Sequence, residues 1–186
     1  MPARLIDGVA IGDTMRAELA GEIAALKARG TTPGLAAVLV GDNPASETYV
    51  RMKGKACDEA GLYQETIQLP KETGEPDILA LVRRLNADAR IHGILVQLPL
   101  PPQINSQRVL RSVDPRKDVD GFHPENVGKV AVGDPTGFRP ATPYGVQQLL
   151  LDLNREDGSA LVVATHNHRL AAAMERTVRL AGGRLH

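Results

Sequence analysis

The chain has 186 residues, with 22 basic against 22 acidic side chains, one cysteine and no tryptophan. The cancelled charge argues against nucleic acid or a membrane surface as partner, since both select a basic excess. Cys57 alone excludes an internal disulfide and fits a reducing cytosol, and the scarcity of aromatics leaves Leu, Val, Ile and Ala to build the core.

The N-terminal stretch MPARLIDGVAIGDTMRAEL has no apolar core of signal-peptide length, and no later run approaches the ~20 apolar residues of a membrane span. A cytoplasmic protein is expected. Residues 11–30, IGDTMRAELAGEIAALKARG, show apolar residues at helical spacing, with Asp13 or Thr14 as the expected cap and Gly30 as the stop. GLAAVLVG (34–41) suits a buried strand between glycines. A helix is expected over 44–60, ending at Gly61, with Ala45, Tyr49, Met52, Ala56 and Ala60 as its apolar stripe. YQETIQL (63–69) alternates as a strand, EPDILALVRRLNAD (75–88) reads as a helix, and GILVQL (93–98) as a second buried strand stopped by the prolines of PLPP. Residues 102–140 read as loop, a length that is usually functional or a linker. Pro143 is expected to open a helix, PYGVQQLLLDLN, followed by a strand SALVVATH (159–166) and a helix HRLAAAMERTV (168–178). Strands alternating with helices predict an α/β domain: three layers around a mainly parallel sheet.

Ligands of open α/β sheets sit at the carboxyl ends of the strands, and several residues converge there. Tyr49 and Lys53 are four residues apart, so they stack on one helix face, and Lys53 borders the apolar stripe. A partly desolvated lysine gives up its proton more readily and serves as a proton acceptor. Gln97 lies near the end of GILVQL, on the face opposite to Ile94, Val96 and Leu98. Asp118 and Asp120 follow in KDVDG, and a carboxylate such as Asp120 suits the adjacent N–H donors of an amino-pyrimidine edge. The set fits a flat, nitrogen-rich substrate with a proton transfer nearby. Each piece also has a plain reading: a solvated helix face for Tyr49 and Lys53, a satisfied core amide for Gln97, a turn for DVDG. Asp118, Asp120 and His123 weakly suggest a metal site; no metal is expected.

Four stretches, YVRMKGKACDEAG, GILVQLPLPP, KDVDGFHPENVGK and RPATPYGV, resemble in order and spacing the bifunctional methylenetetrahydrofolate dehydrogenase/methenyltetrahydrofolate cyclohydrolase family. The resemblance runs from residue 1 to about 148, with Ala141 where the family often has Cys. It implies a catalytic domain over 1–148 acting in folate one-carbon metabolism: oxidation of 5,10-methylenetetrahydrofolate with NADP, and hydrolysis of the methenyl product to 10-formyltetrahydrofolate. It implies Lys53 as the catalytic lysine, Tyr49 as the residue that orients the folate, Gln97 as the lysine's partner and Asp120 as the pterin anchor. Val96, Leu98 and Pro99 are the further substrate contacts expected. Lys55, about 200° around the helix from Lys53, is not expected to be the base. A tetrahydrofolate derivative is the implied small-molecule partner, and a homodimer the implied assembly.

The family continues into an NADP-binding domain with a glycine-rich turn at a helix N-terminus. After Gly145 this sequence has only Gly158, Gly182 and Gly183, so no cofactor-binding residues are assigned, and little or no dehydrogenase activity is expected. Residues 149–186 resemble instead the end of an ABC-transporter ATPase subunit of the lipoprotein-export type, with Thr165 and His166 at the switch-histidine position. No phosphate-binding loop accompanies them, because GFHPENVGKV has the wrong glycine spacing and Val after Lys. A chimera joined in the helix GVQQLLLDLN is therefore expected. An inactive recombined scaffold and a fragmentary nucleotide-binding module are the alternatives to a folate enzyme.

Overall fold

The computed structural model describes residues 8–147, 180–181 and 184–185. The chain divides into two compact units, Met1–Ala141 and Thr142–His186.

The first unit opens with α1 (Gly8–Ala28). It starts before the expected cap, so Asp13 and Thr14 lie inside the helix. Nothing in Gly8–Gly12 breaks a helix as proline would, and Asp13 pairs instead with Arg16 three residues on. The expected stop holds: Gly30 takes a left-handed φ of 84°, and the Gly30 and Thr31 N–H groups return to the Lys27 and Leu26 carbonyls.

Three strands form one parallel sheet in the order β2-β1-β3: β1 (Gly34–Val40), β2 (Tyr63–Leu69) and β3 (Gly93–Val96). The register sets Gly34 opposite Tyr63 and Leu35 opposite Gly93. α2 (Pro44–Ala60) links β1 to β2, and α3 (Glu75–Ala87) links β2 to β3. Alternate residues of the central strand feed opposite cores. Ala36, Val38 and Val40 pack with Ile78, Val82 and Leu85 of α3. On the other face Ala37, Leu39 and Leu95 pack with Val50 of α2. This is the three-layer α/β arrangement expected.

Two expectations need correction. The buried face of α2 is not the stripe through Tyr49 and Met52, which are 52% and 65% exposed. Ser46 and Val50 are its buried residues, and Gly54 lies one turn further, where an added Cβ would come within 3.5 Å of the Gln64 side chain. A helix lying this close to a sheet turns its small residues inward and its bulky ones outward. The second correction is the loop of 102–140, which contains α4 (Ser106–Ser112) and α5 (Pro124–Val132). Both are short, but both are capped. Asn105 Oδ1 accepts the Arg108 N–H at 3.1 Å, His123 Nδ1 accepts the Glu125 N–H at 3.1 Å, and Gly133 ends α5 at φ 79°.

Residues 141–147 are helical, so that helix begins two residues before Pro143. In the second unit β4 (Leu180–Ala181) and β5 (Arg184–Leu185) pair antiparallel. The strand expected at 159–166, the helix expected at 168–178 and His166 lie outside the described residues.

Candidate active site

The site is built at the carboxyl end of β1. Gly41, at φ 92°, turns the chain out of the strand, and Asn43 starts α2 by accepting the Ala45 and Ser46 N–H groups at 3.0 and 3.1 Å. With Pro44 at the first helical position, the phase of the helix is set, and Tyr49 and Lys53 fall on its outer shoulder. Lys53 Nζ lies 4.6 Å from the centre of the Tyr49 ring, a cation–π contact. Lys53 is half-buried, whereas Lys55 faces solvent and pairs with Glu59 at 3.6 Å.

Asp120 comes from a loop more than sixty residues further along the chain. Burial pushes its carboxyl above the ordinary value; the Lys53 ammonium acts in the opposite direction, and Asp118 adds to the rise. Lys53 and Asp120 therefore share one electrostatic field. The nearby Cys57 thiol is also pushed up, first by burial and then by Asp58, against the pull of Lys53.

The loop that carries Asp120 is held from inside. Asp118 is 5% exposed and makes an isolated parallel bridge to Ile94 of β3. Its carboxylate accepts the Phe122 N–H at 3.3 Å, the His123 N–H at 2.8 Å and the Asn126 Nδ2 at 2.9 Å. Asn126, on α5 and 1% exposed, also donates to the Pro115 carbonyl at 2.8 Å and accepts the Phe138 N–H at 3.2 Å. Gly121 sits at φ 66°, and a Cβ there would come within 2.7 Å of the Phe138 carbonyl. Among the described residues no cluster of three or more His, Cys, Asp or Glu suits a metal, and Asp118 is occupied by its three donors. Asn126 carried no signal in the sequence; recognising Pro124 as a first helical position would have turned it inward.

The other expected site residues divide. Gln97 is half-buried at the end of β3; its N–H reaches the Val38 carbonyl at 2.8 Å, and its Nε2 donates to the Leu98 carbonyl at 2.9 Å. Pro99 is exposed and follows a cis peptide. The side chains of Val96 and Leu98 pack in the core on the α3 face. The fold thus places Tyr49 beside Lys53, whose ammonium acts on Asp120, and turns Val96 and Leu98 away from the α2 face. Among the described residues two glycines lie between a strand end and the next helix: Gly41 precedes α2, whose first amides Asn43 already occupies, and Gly74 precedes α3, whose second residue is Pro76 and offers no N–H to a phosphate.

Residues 6–120 match the family model described as "Tetrahydrofolate dehydrogenase/cyclohydrolase, catalytic domain". The chain belongs to the tetrahydrofolate dehydrogenase/cyclohydrolase family. Among its curated relatives, the bifunctional protein FolD 2 of Geobacter sulfurreducens is 59% identical over 148 residues, which cover 80% of this chain and 52% of that protein. The bifunctional protein FolD of Paraburkholderia xenovorans is 52% identical over 169 residues, 90% of this chain and 59% of the relative. Two solved structures of this family resemble the fold. The Campylobacter jejuni FolD enzyme has a TM-score of 0.78 at 46% identity, over 80% of this chain and 52% of that one. The Trypanosoma brucei enzyme, complexed with NADP cofactor and inhibitor, has a TM-score of 0.77 at 36% identity, over 86% and 54%. The chain spans about half the length of these relatives. A likeness that covers 90% of the 186 residues runs past residue 160, so in that relative it does not stop at the expected junction near 148. These likenesses are to FolD proteins and lend the expected ATPase-like tail no support. Among the described residues no helix is long and apolar enough to cross a membrane.

Proposed function

We propose that this chain acts in folate one-carbon metabolism, on the hydrolysis of 5,10-methenyltetrahydrofolate to 10-formyltetrahydrofolate. The observation that carries the reading is the shared field of Lys53 and Asp120, with the exposed Tyr49 ring beside the ammonium. In this reading the pterin lies against the Tyr49 ring, and Asp120 accepts its adjacent N–H donors. Water adds to the methenyl carbon and Lys53, as the neutral amine, takes the proton released; the carbinol then collapses to the formyl group on N10 as the bond to N5 breaks and its O–H proton passes to N5. Gln97 is the proposed companion of Lys53, with Pro99 at the rim; any contribution of Val96 and Leu98 falls to their backbone. The relatives' second activity, oxidation with NADP, needs a nicotinamide set against the folate. No step through that cofactor is assigned to the residues described.

The test is loss of the near-ultraviolet absorbance of methenyltetrahydrofolate with the purified chain, with Lys53→Met as control. A rate above buffer that disappears in the variant supports the reading. Equal rates in both leave a fold without turnover, and an absent thermal shift with a folate ligand would then favour the inactive scaffold. A recombined, ATPase-like tail would require ATP binding that His166→Ala abolishes. The homodimer is part of the proposed reading, and sedimentation checks it.

A further inference from the structure

The loop that carries Asp120 has no regular secondary structure, yet its carboxylate lies within the field of Lys53, on a different element. Residues 115–118, the turn 118–123 and the segment at Phe138 meet at one side chain, the Asn126 amide. Its Nδ2 holds the Pro115 carbonyl at 2.8 Å and the Asp118 carboxylate at 2.9 Å, and its Oδ1 holds the Phe138 N–H at 3.2 Å. Asp118 in turn folds the loop back through the Phe122 and His123 N–H groups. The Gly121 N–H closes onto the Asp118 carbonyl at 3.3 Å, so Asp120 forms the tip of a turn fixed at both ends. Gly121 packs so closely on Phe138–Pro140 that the tip cannot shift unless Phe138 shifts too. Neither Asn126 nor Asp118 reaches the outer surface where a substrate would lie; both are buried.

We propose that Asn126 is a positioning residue that holds the Asp120 carboxylate opposite the Lys53 ammonium. The proposal rests on the reading of that pair as the reaction site, but its test uses neither folate nor turnover. A merely structural Asn126 would support the stability of α5 and leave the distance between the two charges alone. A positioning Asn126 sets their coupling.

Carboxyl carbon-13 titration of Asp120 separates the two in four proteins: the native chain, Lys53→Met, Asn126→Ala and the double variant. The charged groups that act on Asp120 are Lys53 of α2 and Asp118 of its own loop. In the native background Lys53→Met removes the ammonium that favours the carboxylate, so the Asp120 midpoint moves up. In the Asn126→Ala background the same substitution is expected to leave the midpoint unmoved. An equal upward movement in both backgrounds overturns the proposal. Should thermal melts show that Asn126→Ala does not fold, Asn126→Ser carries the cycle. Its hydroxyl has one proton to give, so it can hold Pro115 or Asp118 but not both, and the expected result is a reduced movement; an undiminished one overturns the proposal. Folate binding to the native chain is measured separately. Its absence removes the proposed function and leaves the outcome of the cycle standing.

Discussion

Asp120 holds its proton more tightly in the folded chain than outside it, because burial outweighs the nearby ammonium. The sign of the linkage follows. A carboxyl raised on folding favours the folded state below its ordinary value of 3.8 and loses that contribution as pH rises through the folded value. Asp120→Asn is therefore expected to raise the melting temperature at pH 7, with the gain fading below pH 3.8. A lower melting temperature at pH 7 would refute the assignment of burial as the cause. Asp114 behaves in the opposite sense. Hydrogen bonds from the Arg116 side chain and N–H bring it down to about 2, so its contribution is present above 3.8 and disappears as pH falls toward about 2. Arg116→Ala is expected to lower stability at neutral pH, with the deficit closing across that acid window in denaturant titrations. Asp120, beside Lys53, thus costs the fold stability, whereas Asp114, on the far side of Lys117, supports it.

At the scale of elements, the glycines divide by what stands next to them. Gly54 lies inside α2 with no atom nearer than 3.5 Å to an added Cβ, so Gly54→Ala is expected to stabilise by about 0.5–1 kcal/mol through helix propensity. Gly34 begins β1 with the Arg90 carbonyl only 2.0 Å from where a Cβ would stand. Gly34→Ala is expected to cost about 2–3 kcal/mol by overpacking, and a neutral melt would refute that contact. β1, α2 and α3 were legible because each is a long patterned run bounded by Gly or Pro. The helices α4 and α5 were not, because seven and nine residues are too few for a period to show against loop composition. Their caps were the readable part: Asn105, His123-Pro124 and Gly133. The face of α2 was misread for a different reason. Hydrophobicity nominated Tyr49 and Met52 for the interior, but the spacing between helix and sheet admits only Ser46, Val50 and Gly54. The same reversal leaves Tyr49 on the outside, free to meet a flat ligand. KDVDG nominates Asp120 for the site, whereas nothing in the sequence points to the Asn126 amide that holds its loop, because an asparagine within a helix announces no direction.

For the whole molecule, the relatives are about twice as long. The first unit has a second anchor for its reactive loop at Lys117. The Nζ of Lys117 donates to the Leu85, Asn86 and Asp88 carbonyls at 3.2, 2.8 and 2.9 Å. It closes the end of α3 and fixes the chain three residues before Asp120. Trypsin recognises a lysine by drawing its ammonium into an acidic pocket, and this ammonium is already held by three carbonyls. In a limited digest of the native chain, the bond after Lys117 should outlast those after exposed basic residues. Its cleavage would report the moment at which the end of α3 comes apart.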